Sequence, residues 1–412
     1  MSHNNTEKEG YKKTTLGWIP NEWEVKKTKE LGEISSGGTP DTSQMIYWNG
    51  SINWCTPTDI TALNGNKYLN STTTKITDAG LKNSSAKVLP INSLIVCTRA
   101  SIGKVVINKI EMSTNQGFKN IIPKNIIADF LYYKLSNETI GLLRIANGST
   151  FLEVSKTDFE NYNLSIPPID EQKKIAAILS TWDEAITKTQ NLITQLQLRN
   201  KGLMLQLLKP KESWKKFRMG DLIEEIKRPV EWNDNECYDL ISVRRRSGGA
   251  FFRESLKGEQ ILTKQLLTVY ENDFLFSKMQ IVHGASSIVP KELSGMKVSG
   301  SYITVKAKDE TKLDIQYFNW LSKSRFFYRL TFLSSHGVHI EKMTFDFDDF
   351  KRHKISLPNL LSDQKRTVQI LNKGVDEVKK LEQKLAALQL QKKGLMQKLL
   401  MGEVRVKVKS EK

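Results

Sequence analysis

Arg244, Arg245 and Arg246 stand in succession and are followed by Ser247, Gly248 and Gly249. A guanidinium is a planar fork that bonds guanine O6 and N7 together or clamps a phosphate. Glycines beside it let a backbone come close to such a partner. An exposed, charged loop tip is the plainer reading of the same residues. A second group lies nearer the N-terminus: Arg99 after Thr98, with Lys104 and Lys119 further on. Ser277 and Lys278 are the expected counterpart of Thr98 and Arg99, each pair directly after an apolar strand. Asn115 and Gln116 carry the amides that match the edge of adenine, or they satisfy their own turn. Ser36, Gly37, Gly38 and Thr39 can offer backbone N–H groups to a phosphate, or form a plain turn.

Other chemistries lack their residues. No G-x-x-x-x-G-K-[ST] phosphate loop occurs, so ATP hydrolysis by this chain is not expected. There is no Asn/Asp-Pro-Pro-Tyr/Phe tetrapeptide of the kind that holds a flipped adenine for methylation; Ile166-Pro167-Pro168-Ile169 has the prolines alone and marks a junction. Five histidines give one H-x-x-H, His336 and His339, without an associated cysteine or acidic cluster, so no metal site is expected. Cys55, Cys97 and Cys237 are widely spaced, which fits reduced thiols in a cytoplasmic protein. No apolar run reaches 18 residues, and the polar N-terminus lacks a signal-peptide core, so no membrane span and no signal peptide are expected. Against 45 acidic residues stand 62 basic ones, a net charge of +17, which favours a polyanionic partner, either nucleic acid or an anionic membrane surface. At 412 residues the chain is too long for one ordinary core.

The elements that position these groups are announced by a repeat. Residues 172–208 recur without a gap at 364–400, and 14 of the 37 aligned positions are identical. In the first copy Ile175, Leu179, Trp182, Ile186, Thr189, Ile193, Leu196, Asn200, Leu203 and Leu207 alternate steps of four and three, a heptad seam. The same frame in the second copy runs through Thr367, Leu371, Gly374, Val378, Leu381, Leu385, Leu388, Lys392, Leu395 and Leu399. Asn200 and Lys392 interrupt the two stripes at equivalent places and can fix register. Pro168, Asp170 and Glu171 suit a helix start, Ser362 suits an N-cap, and Pro210 and Gly402 suit the two ends. Two such helices are expected to pair as an antiparallel coiled coil with pseudo-two-fold symmetry.

A mixed segment precedes each helix. Leu94–Cys97, 104–107, Ile121-Ile122, 274–276 and 302–305 read as strands, and one helix per segment is expected, near 127–135 and 314–321. Tyr317, Phe318, Trp320, Phe326, Phe327 and Tyr328 read as core packing. The fold class is α+β: two mixed α/β domains in tandem, each followed by a long helix. The expected boundaries are 1–165 and 211–356 for the domains, with 166–210 and 357–412 for the spacer helices and a basic tail.

Ordered phrases through this duplicated frame resemble those of the specificity subunit of type I restriction–modification enzymes. They are Gly17-Trp18-Ile19-Pro20 with Trp23, the 36–40 stretch, Thr98-Arg99-Ala100-Ser101-Ile102-Gly103-Lys104, Thr114-Asn115-Gln116-Gly117-Phe118, and the Lys-Gly-Leu-Met helices at 201–204 and 393–396. The first half matches closely; the second matches mainly at its ends and in its helix. The resemblance implies two target-recognition domains that read a bipartite, asymmetric site in double-stranded DNA. It also implies a spacer that docks two methyltransferase subunits, motor-nuclease subunits joining that core, and no active site on this chain. S-adenosylmethionine, ATP and Mg would belong to the partner subunits. Ser101 then joins the candidate DNA contacts. A coiled-coil adaptor with non-specific nucleic-acid binding is the alternative, and a self-sufficient methyltransferase or nuclease is opposed by the missing motifs.

Overall fold

Unbroken apolar runs such as Leu94–Cys97 need cover on both faces, and they receive it. The computed structural model describes residues 8–148 and 152–406. They divide into two compact units, one made of residues up to 190 and from 384 on, the other of 191–383. Each unit therefore combines one globular segment with part of each long helix.

In the first unit a five-stranded sheet has the order Gly32–Ser36, Phe118–Pro123, Leu94–Cys97, Val105–Asn108, Tyr68–Leu69. Neighbours in its first four strands run antiparallel. Successive side chains of a strand point to opposite faces. Thus Leu94, Val96, Val105 and Ile107 enter the core with Phe130 and Leu131 of helix α1 (Ala128–Asn137). Ile95, Cys97, Val106 and Phe118 enter a second core with Cys55 and Ile60. Burial drives the Cys97 thiol up to about 12.

The second unit has two four-stranded sheets. One orders Ile223–Glu225, Tyr302–Ala307, Phe274–Ser277, Ser286–Ile288; the other orders Ala250–Lys257, Cys237–Val243, Lys297–Ser299, Leu266–Thr268. Phe274 and Phe276 meet Phe318, Phe327 and Phe350 in one aromatic core. Tyr317 and Phe327 are buried as expected, whereas Phe326 is exposed. The expected single helix per segment is too few: Thr139–Arg144 and Arg325–Leu333 follow those near 128 and 315.

The long helices are α2 (Ile169–Leu207) and α4 (Leu361–Leu400); helix α3 (Ile315–Leu321) lies between them in sequence. At 39 and 40 residues they are each about 60 Å long. Every position of both heptad frames is buried or half-buried, while most flanking positions are exposed. That includes Leu179, Trp182, Ile186, Ile193, Leu196 and Leu203 on α2, and Leu371, Val378, Leu381, Leu385, Leu388 and Leu395 on α4. The pairing is antiparallel within each unit. Ile175 and Leu179, early in α2, share a core with Leu399 and Leu400 at the end of α4. Leu203 and Leu207, late in α2, pack with Val368 and Leu371 near the start of α4. Ser362 falls inside the first turn of α4, so it is not the N-cap expected from sequence. Gly402 ends α4 with φ 72°, and a Cβ there would lie 2.6 Å from Pro20.

The polar seam residues have partners. The Asn200 amide donates to the Gly374 carbonyl at 2.7 Å, in the space that the glycine leaves open. Lys392 donates to Asp183, which also accepts from the Tyr133 hydroxyl. The repeated glutamines have matching tasks. Gln172 accepts from the Ile127 N–H at the start of α1 and donates to the Pro167 carbonyl; Gln364 accepts from the Asp314 N–H at the start of α3 and donates to the Lys312 carbonyl. Each thereby clamps its segment's helix to the spacer.

Candidate nucleic-acid interface

The sheet register of the first unit gathers most of the polar residues singled out from sequence. Strand Gly32–Ser36 pairs Ser36 with Lys119. Past its end, the Gly38 N–H donates to the Thr114 carbonyl at 2.9 Å. A Cβ on Gly37 would lie 1.9 Å from the Asn115 carbonyl, and one on Gly38 would lie 2.4 Å from the Ala86 nitrogen. These glycines thus answer to close packing of the chain on itself, and the Gly38 N–H is not free for a phosphate. Thr39 donates its hydroxyl to Gln116. The Asn115 side chain accepts from the Gly117 N–H at 2.9 Å, which locks the turn and leaves its NH2 pointing elsewhere. Gln116 is exposed.

Arg99 follows strand Leu94–Cys97, beside Gly117, with Nη1 4.0 Å from Glu153. Lys119 ends 3.2 Å from the same carboxylate, and only 6% of its side chain is exposed. Lys119 was expected to add positive charge near Arg99; its buried ammonium is instead paired with the half-buried Glu153. The sequence reasoning passed over Glu153, which joins both cations from the stretch before helix Lys156–Glu160. Ser101 donates its N–H to the Arg99 carbonyl in a tight turn around Ala100, at φ 60°. Lys104 is exposed and reaches the Thr61 hydroxyl at 3.3 Å, away from the Glu153 group.

In the second unit Arg244–Gly249 forms the turn between strands Cys237–Val243 and Ala250–Lys257. Arg246 and Ser247 adopt φ 57° and 54°. Their N–H groups donate to the carbonyls of His283 and Gly284, and the Ser247 hydroxyl meets that of Tyr328 at 2.7 Å. Arg244 lies over the Phe251 ring, 4.0 Å from its centroid. Arg245 bonds Gln280 and Glu341, at 2.6 and 2.8 Å. Lys278 takes the N–H and C=O contacts that Thr98 takes in the first unit, so its structural counterpart is Thr98 and the sequence pairing with Arg99 is off by one. Its ammonium is spent on the Gly300 carbonyl at 2.8 Å. Neither Gln280 nor Glu341 carried a sequence signal. Among the described residues no cluster of three or more potential metal ligands occurs, and no helix is long and apolar enough to cross a membrane.

Two α+β segments, each presenting polar loops beyond its strand ends and each clamped to a duplicated helix, make this a tandemly duplicated α+β protein. The chain belongs to the family of the type I restriction modification DNA specificity domain, whose model matches residues 20–198 and again 211–390. It is 38% identical over 190 residues to the type I restriction enzyme MjaIX specificity subunit of Methanocaldococcus jannaschii, covering 45% of this chain and 44% of that protein. It is 30% identical over 200 residues to the EcoR124I/EcoR124II specificity subunit of Escherichia coli, covering 46% and 48%. The matched stretches thus span about half the length of these two relatives. A putative MjaX specificity subunit aligns over 97% of both chains at 23% identity. Among solved structures, the S subunit from M. genitalium shares the fold with a TM-score of 0.53 and 14% identity, covering 92% of this chain and 96% of that one. A chain from a study of complex assembly in the type I R-M system gives 0.60 and 16%, covering 94% and 99%.

Proposed function

We propose that this chain is the non-catalytic DNA sequence-specificity subunit of a type I restriction–modification complex. The loops of the first unit read one half of a bipartite site, and those of the second unit read the other. The observation that carries this reading is the duplicated recognition segment, matched twice by one family model, with different side chains in equivalent loops. Unlike loops on like frames suit an asymmetric site.

A second repetition supports two identical partners on the spacer. A groove of about 270 Å³ in the first unit is lined by Gln389, Lys393, Met396, Ile186 and Thr187. A groove of about 610 Å³ in the second is lined by their repeat equivalents, Gln197, Lys201, Met204, Val378 and Lys379. Two methyltransferase subunits, one per groove, account for this duplication, and motor-nuclease subunits complete the complex. S-adenosylmethionine, ATP and Mg act in those partners. Of the apolar residues beside the seam, Ile370 is exposed and lines the second groove, while Ile178 packs into its own unit's core.

The test is to map methylated adenines genome-wide with and without the chain, and then with four residues inserted in the spacer helices. The insertion is expected to change the gap and leave both half-sequences intact. Altered half-sequences overturn the reading. A merely adaptor-like chain gives no sequence-dependent methylation, only salt-sensitive binding.

A further inference from the structure

We infer that Arg245 reads a guanine in the second half-site, and that Gln280 and Glu341 are positioning residues that aim it. The inference rests on the reading above, that the loops of the second unit face DNA. Of the three consecutive arginines, Arg245 alone has its guanidinium held by two side chains from separate segments, 35 and 96 residues away in sequence. Its Nε–H donates to the Gln280 carbonyl oxygen and Nη2 donates to Glu341. Nε and Nη2 form the side edge of the guanidinium plane, and both are engaged. The end edge, Nη1 with the other N–H of Nη2, has no further partner among the described residues.

Two parallel N–H groups at the end of a half-exposed side chain that is fixed at its flank match two acceptors side by side, as guanine presents with O6 and N7. The backbone beneath is fixed as well. Its N–H groups are bonded to the carbonyls of His283 and Gly284, and Gly284 leaves room for Tyr328, whose hydroxyl holds Ser247. A phosphate contact needs no such aiming, because a phosphate accepts from many directions. Glu341 also discriminates against phosphate: a phosphate at the arginine would sit beside a second anion, whereas guanine O6 and N7 are neutral acceptors.

The full chain in its assembled complex is tested on the mapped site, with each base of the second half-site changed in turn. Arg245→Ala is expected to lower affinity for the cognate site roughly ten- to hundredfold and to relax discrimination at one G·C pair. Gln280→Ala and Glu341→Ala are expected to relax discrimination at that same pair by roughly two- to tenfold, because the fork is no longer pre-ordered. Replacing that guanine by 7-deazaguanine, which lacks the N7 acceptor, should cost the native complex affinity and cost Arg245→Ala nothing further. First half-site specificity serves as the folding control and should not change. If Arg245→Ala weakens every sequence equally, or none, the guanine assignment is overturned. If it relaxes one pair but the Gln280 and Glu341 variants relax none, the positioning role is overturned and the arginine's role stands. A native complex with no sequence preference would refute the functional reading itself.

Discussion

The Asn200–Gly374 contact yields a sharp prediction through Gly374→Ala. A Cβ on residue 374 would lie 2.6 Å from Asn200 Oδ1 and 2.9 Å from Nδ2. The amide is the end of a side chain and can swing away, so the clash itself is relieved. What is lost is its hydrogen bond, about 1 kcal/mol, together with a further 1–3 kcal/mol or so if the displaced amide is left unpaired in the seam. Replacing a mid-helix glycine by alanine returns about 1 kcal/mol of helix propensity. The net expectation is a loss of about 1–3 kcal/mol. With Asn200→Ala already in place nothing is displaced, and Gly374→Ala is expected to stabilise by about 1 kcal/mol. The coupling in the double-mutant cycle is then about 2–4 kcal/mol. A chain of two units need not unfold in one step, so the assay is hydrogen exchange on the peptide spanning residue 374, which reports local opening. Equal stabilisation by Gly374→Ala in both backgrounds would show that the two residues do not meet.

Gln172→Ala and Gln364→Ala should each cost about 1–3 kcal/mol, because each leaves a part-buried helix-start N–H and a carbonyl without their partner. The loss should appear in exchange rates of the variant's own unit; equal weakening of both units would contradict separate clamps. Lys119→Ala should destabilise the first unit by about 1 kcal/mol, because the Glu153 carboxylate it leaves is partly solvated and keeps Arg99 at 4.0 Å. Lys104→Ala should leave stability within about 0.5 kcal/mol, and denaturation of the two variants separates a structural cation from a surface one. Alkylation near pH 8 should modify Cys237, which is exposed, while Cys55 and Cys97 wait for unfolding. Burial raises both of those thiols, so their contribution to stability is intact below the unfolded thiol pKa of about 8.5. It is lost as pH rises toward the folded value of Cys97, about 12. Rapid labelling of all three thiols in the native protein would contradict their placement.

What the sequence disclosed follows from how local each signal is. The seam was legible because a heptad repeat is written in consecutive turns, and the antiparallel pairing of α2 with α4 was expected because it relates two similar halves by a pseudo-two-fold axis. Gln172 and Gln364 were legible as a repeated pair but not as clamps, since each bonds a backbone N–H 45 or 50 residues away. Gly37 and Gly38 looked like a phosphate cradle because a glycine required by any close backbone looks the same in sequence; here the close backbone is the chain's own. Lys119 was misplaced for a related reason. Its strand is covered on both faces, so polar character did not imply exposure. Glu153, Gln280 and Glu341 stayed hidden because a lone polar residue acquires its role from a distant partner.

The repeat is most informative where its copies differ. Asn200 and Lys392 hold one seam position, and the residues they face, Gly374 and the Trp182-Asp183 step, hold another. Pairing α2 with a second α2 would set the Asn200 amide against the Trp182 indole, with no space left by a missing Cβ. Pairing α4 with a second α4 would set the Lys392 ammonium beside Gly374 and Val375, with no carboxylate in place of Asp183. Each polar group is satisfied only when unlike helices meet, and in a half-buried seam an unsatisfied amide or ammonium costs more than a satisfied one contributes. The apolar positions would tolerate any of the three pairings. It is therefore the two polar interruptions that select the pairing of α2 with α4 within each unit.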